Sequence, residues 1–254
     1  KGLDELLDLL DAHHQRATFF VLGMTVADDS GIVRALSSGG HEVATHGWSH
    51  VRLDELSRAE FAEDLNRAMS ELTAITQEPV LGHRAPEFSV PRDDVEGFFS
   101  VLAEAGIAYD SSVYPFSGTR YGLGDWPRSP CRVHVDSGSL IELPLATLQV
   151  GRRRIPIAGG GWWRLLPGPL VNLAASAARR QGVLLTTYVH NYEFDPGILR
   201  LGPVADRGEL SGAWRRATLQ QNAFRRSLPD KLVALIGRFQ LGSCAQLLDH
   251  QDWS

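Results

Sequence analysis

The first apolar residues to repeat regularly are Leu3, Leu6, Leu7 and Leu10, the spacing of one helical face, and the continuous apolar run from Ala17 to Leu22 then predicts a strand. A second helix is predicted from Val26 to Ser37, ending at Gly39-Gly40, and His41 to Thr45 alternates as a second strand. The amphipathic stretch from Ser57 to Thr76, closed by Pro79, predicts a long helix, and Val80 to His83 is a short third strand. Pro91 opens another helix to about Ala105, Gly106 caps it, and Ile107-Ala108-Tyr109 follows as a strand. Such alternation predicts an α/β fold, a parallel sheet with helices outside it, open or closed into a barrel.

The rhythm changes after Pro115. Gly, Pro and Arg become frequent, with strand candidates only at Leu140 to Leu143 and Thr147 to Val150, and residues 115–165 read as an insertion. The pattern resumes with a helix from Pro169 to Arg180 and with Val183 to Val189, the most strand-like run in the chain, which ends at His190. Helices at Ala213 to Arg225 and Pro229 to Ile236 and a last strand at Arg238 to Leu241 complete the pattern. No linker, biased segment or fixed-period repeat interrupts it, so residues 1–254 read as one domain.

Composition narrows the function. A chain of 254 residues, 43% hydrophobic and 22% charged, can bury a sizeable core. A net charge of -5 provides no broad basic face for nucleic acid. The two cysteines, Cys131 and Cys244, are far apart and form no CxxC, so they predict buried thiols and neither a disulfide framework nor a thiolate metal site. No apolar run reaches the roughly 20 residues that cross a bilayer. The absence of a leader-like start favours the cytoplasm, although a chain that opens on Lys1 leaves the compartment open.

Four signals carry candidate chemistry, each at the carboxyl end of a predicted strand. His46-Gly47-Trp48-Ser49-His50 places two imidazoles four residues apart, a spacing that can serve one zinc-like ion. Nine histidines in 254 residues will also fall four apart by chance. Arg84-Ala85-Pro86-Glu87-Phe88 holds an arginine before a proline-stiffened loop, where it can orient a carboxylate or form a surface ion pair. Asp110-Ser111-Ser112 offers an acid that can orient a histidine or cap a turn. His190 ends the apolar strand, as a general acid or as a structural residue. The carboxyl face of a parallel sheet is where such folds assemble active sites, so the coincidence of all four outweighs each alone.

In that order the motifs resemble those of the NodB-homology polysaccharide deacetylases, carbohydrate esterase family four. The likeness is closest to deacetylases associated with bacterial exopolysaccharide and exosortase clusters. It extends to Ala17-Thr18-Phe19-Phe20-Val21-Leu22-Gly23, Gly40-His41-Glu42-Val43, Tyr109-Asp110-Ser111-Ser112-Val113-Tyr114-Pro115 and Ala158-Gly159-Gly160-Gly161. It implies an irregular (β/α) barrel of about seven parallel strands. It also implies removal of N-acetyl groups from N-acetylhexosamine units of a bacterial polysaccharide.

By that resemblance His46 and His50 bind zinc or another divalent transition metal, Arg84 positions the catalytic base, His190 protonates the departing amine and Asp110 supports that histidine. Glu87 occupies a position whose backbone N–H helps hold the oxyanion, and its carboxylate would repel an acidic substrate. Phe88 and Trp162 are the further substrate-binding candidates, Trp162-Trp163 as a sugar-stacking platform or as packing. Family members open on an aspartate-rich strand that supplies the base and the third ligand, and this chain begins one helix later. Asp28-Asp29 follows the wrong strand and suits a helix's first turn instead. Two rivals follow: a carbohydrate-binding relative without catalysis, and an amidase acting on a small non-sugar amide.

Overall fold

The computed structural model describes residues 1–199 and 212–248. They divide into two compact units, residues 1–15, 157–176, 187–199 and 212–240 in the first and 16–156, 177–186 and 241–248 in the second.

Helix α1 (Gly2–Ala12) turns Leu6 and Leu10 inward, as its apolar spacing predicts. After strand β1 (Thr18–Val21), the single helix expected from Val26 to Ser37 forms as two, α2 (Gly23–Asp28) and α3 (Ser30–Ser38). Asp29 breaks it: its backbone leaves the helical region and its carboxylate caps α3, accepting from the Gly31 N–H at 2.9 Å. Strand β2 (Glu42–Thr45) precedes α4 (Arg58–Thr76), which Ser57 and Glu60 start with a reciprocal capping box. Strand β3 (Gly82–His83), helix α5 (Val95–Glu104) and strand β4 (Tyr109–Asp110) follow. Helix α5 starts only at Val95, where Asp94 caps it through the Gly97 N–H. The remaining elements are β5 (Cys131–Val135), β6 (Gly138–Glu142), β7 (Thr147–Val150), β8 (Arg153–Pro156), α6 (Gly161–Leu165), α7 (Gly168–Arg180), α8 (Gly212–Asn222), α9 (Leu228–Ile236) and α10 (Cys244–Leu248).

In the second unit six strands pair in the order β1-β2-β3-β4-β6-β5. All neighbours run parallel except the β5–β6 hairpin. The stretch read as an insertion therefore supplies β6, a strand of the main sheet. Its register carries the site: Thr45 lies beside His83, His83 beside Asp110, and Asp110 beside Glu142. Strands β1 and β5 are the outer members, and among the described residues the hydrogen-bonded order does not close into a ring. Phe61 and Leu65 of α4, Phe98, Phe99 and Leu102 of α5, and Leu140 of β6 form the core beside this sheet, each burial stabilising by about 1.5–3 kcal/mol.

Two predicted strands do not form. Val183 to Val189 passes from the second unit into the first and finds partners piecemeal. Thr186 O accepts from the Ala146 N–H in the second unit, and Tyr188 pairs with Gly159 in a single bridge in the first. Arg238 to Leu241 winds on from α9 instead, with the Arg238 and Phe239 N–H groups both donating to Leu235 O. Both cysteines are free thiols, half-buried. Among the described residues no helix is long and apolar enough to cross a membrane.

Candidate active site

Beyond β2 the chain turns sharply, with Gly47 at φ 78° and His50 at φ 57°. A side chain at Gly47 would press on the Asp64 carboxylate. That carboxylate, on α4, orders the turn by accepting from the Trp48 N–H at 2.7 Å and the Ser49 hydroxyl at 2.9 Å. The Arg67 guanidinium stacks over the Trp48 ring at 3.7 Å. The rings of His46 and His50 are left 5.2 Å apart, centre to centre.

His46 Nδ1 lies 2.7 Å from the carbonyl oxygen of Arg84. A carbonyl only accepts, so Nδ1 carries the proton and Nε2 keeps its lone pair. Loss of hydration, stronger than the opposing bond to Arg84, draws the His46 pKa down to about 3 and keeps the ring neutral at neutral pH. A neutral imidazole with one nitrogen locked to a carbonyl is the form that ligates a metal. Among the described residues no three His, Cys, Asp or Glu side chains converge to hold an ion. His46 and the exposed His50 thus fit two positions of a tetrahedral zinc site.

The Arg84 side chain is buried. Its Nε donates to Ser111 O at 2.8 Å, its Nη2 to the Ser111 hydroxyl at 2.7 Å, and its Cζ lies 4.1 Å from the Phe20 ring centre. Burial lowers its pKa from the ordinary value, yet among the described residues it forms no ion pair. Glu87 and Phe88 follow at φ 53° and φ 56°, consecutive left-handed residues that cost on the order of 1 kcal/mol each. The Ser89 hydroxyl holds the turn, donating to Pro86 O at 2.6 Å and accepting from the Leu53 N–H at 2.9 Å. Glu87 is not the bare negative charge expected from the sequence, because Arg52 Nη1 at 2.8 Å and Arg120 Nη2 at 2.6 Å bond its carboxylate. Partial burial pushes its pKa up, but these bonds prevail and hold it below the usual range. Phe88 packs with Tyr114 and Tyr121, ring centres 5.9 and 5.7 Å away.

Asp110 serves its own strand neighbourhood. With no exposure at either side chain, its Oδ1 lies 2.6 Å from His83 Nδ1. It also accepts from the Ser112 hydroxyl at 2.7 Å and the Ser112 N–H at 3.0 Å. Ser112 Oγ in turn accepts from the Ala85 N–H at 2.7 Å, so the network supports the loop that carries Arg84. Glu142, wholly buried beside Asp110, has its pKa pushed well up, first by lost hydration and then by the Asp110 charge.

His190 and Trp162 belong to the first unit. His190 is half exposed. Its backbone N–H donates to Glu193 Oε2 at 2.8 Å, and its Nδ1 lies 3.3 Å from the same oxygen. Trp162 is half-buried in α6, while the Trp163 indole is buried and donates to Ile157 O at 2.8 Å. Gly159 and Gly160 lie where a Cβ would collide with Tyr188, which explains two of the three glycines.

Sequence reasoning passed over Asp64, His83, Glu142 and Glu193. Glu193 had a signal, since an acid three residues after His190 has the spacing of a capping pair. Asp64 had none beyond its place on the polar face of α4. His83 and Glu142 emerge only from strand register. His250 lies outside the described residues.

Residues 1–107 match the family Polysaccharide deacetylase, and residues 111–249 match Domain of unknown function (DUF3473). The chain belongs to the polysaccharide deacetylases that carry this second domain. It is 30% identical over 104 residues to a chitooligosaccharide deacetylase of Bradyrhizobium sp. (strain ANU 289), covering 41% of this chain and 46% of that protein. It is 31% identical over 120 residues to one of Sinorhizobium fredii, covering 47% and 54%. The matches thus span about half the length of these relatives. A Mycobacterium smegmatis protein provisionally assigned as a polysaccharide deacetylase shares the fold at TM-score 0.61 and 19% identity, over 98% of this chain and 76% of that one. A family 4 carbohydrate esterase pseudoenzyme of Bacillus anthracis shares it at TM-score 0.51 and 14% identity, over 98% and 60%.

Proposed function

We propose that the protein hydrolyses N-acetyl groups from N-acetylhexosamine units of a bacterial polysaccharide, using a divalent transition metal, zinc foremost, held by His46 and His50. The supporting observation is the bond between His46 Nδ1 and Arg84 O, which prepares Nε2 as a ligand. When bound, such an ion lowers the pKa of its water and stabilises negative charge on the acetyl oxygen. The chain's own residues supply the rest. Arg84, held by Ser111, keeps a positive charge beside the site; the left-handed turn offers the Glu87 backbone N–H to the oxyanion and the Phe88 ring as an aromatic surface to the sugar; His190 protonates the departing amine. On the same footing we read the parallel sheet as part of an irregular (β/α) barrel of about seven strands, which the likeness in fold supports.

A second reading, carbohydrate binding without hydrolysis, is favoured by the lack of a third convergent ligand among the described residues. Acetate release from N-acetylated chitooligosaccharides, with zinc added, separates the two. Release that His46→Ala abolishes supports the deacetylase; saturable glycan binding without acetate supports the second reading.

A further inference from the structure

Among the described residues Glu193 is the carboxylate in contact with His190, and its setting is unusual. Glu193 has no exposed side-chain surface, while the imidazole it faces is 49% exposed. Its Oε2 takes the His190 backbone N–H at 2.8 Å and lies 3.3 Å from Nδ1. Its Oε1 faces Arg164 Nε at 3.3 Å, and Arg164 is anchored through Nη1 to Gln221 O at 2.6 Å. Tyr192, whose hydroxyl donates to the Gln221 side chain at 2.9 Å, stacks on the His190 ring at 5.1 Å, and Tyr188 meets that ring edge-on at 5.6 Å. Arg225 bonds the Tyr192 carbonyl from the following turn. A buried carboxylate held between a cation and one nitrogen of a half-exposed imidazole fixes both the ring's direction and its proton.

We propose that Glu193 is the positioning residue of His190, keeping a proton on Nδ1 so that Nε2 is the nitrogen that exchanges protons with substrate. This rests on the reading of His190 as the acid. As the acetamide C–N bond breaks, the amine nitrogen takes the Nε2 proton of the His190 imidazolium; a water oxygen bonds the carbonyl carbon to complete acetate, its two protons passing to solvent, and the remaining neutral imidazole keeps its Nδ1 proton against Glu193. Arg164 holds Glu193 in place, so the acid that orients this histidine comes from the turn that follows it and not from Asp110, which His83 and Ser112 engage.

The test is a two-bond 1H–15N correlation spectrum of the full chain at alkaline pH, which reads the tautomer of each histidine without requiring activity. His190 is expected as the Nδ1–H form, with the Nε2–H form gaining population in Glu193→Gln. On an N-acetylated chitooligosaccharide, Glu193→Gln is expected to lower kcat about 10- to 100-fold with KM within about twofold, and Glu193→Asp to recover part of the loss. An Nε2–H tautomer in the native chain overturns the proposal without any variant, as does a folded Glu193→Gln that keeps full kcat. A native chain that releases no acetate yet shows the Nδ1–H tautomer counts against the deacetylase reading and leaves the Glu193 contact supported.

Discussion

His46 Nδ1 and the carbonyl oxygen of Arg84 are 2.7 Å apart, so the loop that carries one sequence motif fixes the tautomer of the other. The parallel pairing of Thr45 with His83 makes this possible, because it sets the residues after both strands side by side. Backbone geometry thereby holds the proton on Nδ1 and leaves the Nε2 lone pair available.

The chain is expected to bind zinc with near-equimolar stoichiometry through His46 and His50. Calorimetric titration of His46→Ala should show affinity lowered by at least about 10-fold, since a lost ligand costs no less than a lost outer-shell partner. Chelation should lower the melting temperature of the native chain, because a ligand that binds only the folded state stabilises it. Unchanged zinc affinity in His46→Ala would remove the metal assignment.

Acid should destabilise the metal-free chain through His46. Its folded pKa of about 3 lies below the ordinary 6.5, so as pH falls through 6.5 the unfolded chain gains a proton that the folded one refuses. The stability is fully present above 6.5 and declines toward 3. Unfolding free energies from urea titrations at neutral and mildly acidic pH should differ by about 1–2 kcal/mol more for the native chain than for His46→Gln.

Glu142 has the opposite sign. A carboxyl whose folded pKa is raised contributes stability present below its unfolded pKa and lost as pH rises through the folded value. Glu142→Gln, which mimics the protonated acid, should be near neutral for stability in mild acid and stabilising at alkaline pH. A parallel pair of urea-midpoint profiles against pH would contradict this.

Glu87 offsets the charges of Arg52 and Arg120. Replacing it with Gln should free the Arg120 guanidinium, while Arg52 stays paired with Asp54 at 2.6 Å, and tighten binding of anionic glycans by a few-fold, an effect that fades as salt screens it. Affinity measured for neutral and acidic oligosaccharides at two ionic strengths decides the point. If Glu87 itself repelled substrate, Glu87→Ala and Glu87→Gln would behave alike and Arg120→Ala would have no effect.

Gly82→Ala places a Cβ against the buried Tyr109 ring, whose hydroxyl is held by Glu42 at 2.7 Å. With the ring unable to withdraw, the strain should cost about 1–3 kcal/mol, read as a fall in melting temperature.

Helices α1, α4 and α5 and strands β1, β2 and β7 follow from local spacing and caps, because each element's apolar face and end signals sit within its own sequence. The same locality shows His46, His50, Arg84 and Asp110 at strand ends. Non-local pairing escapes such patterns: β6 looks like part of an insertion, yet it lies beside β4 because its backbone completes the parallel ladder there. Val183 to Val189 looks like the best strand and forms none, since hydrophobicity supplies a preference for burial but not a neighbouring strand.

The sequence by itself determined that an α/β sheet brings histidines and charged residues to one set of strand ends, since periodicity and chain order suffice for that. Only the tertiary structure decided which partners they find. The His46 tautomer is set by a carbonyl 38 residues away, Asp110 is taken up by His83 across a strand pair, and Glu87 is neutralised by two distant arginines. Charges and lone pairs act over a few ångströms of space, and the folded backbone, not the order of residues, decides which groups come that close.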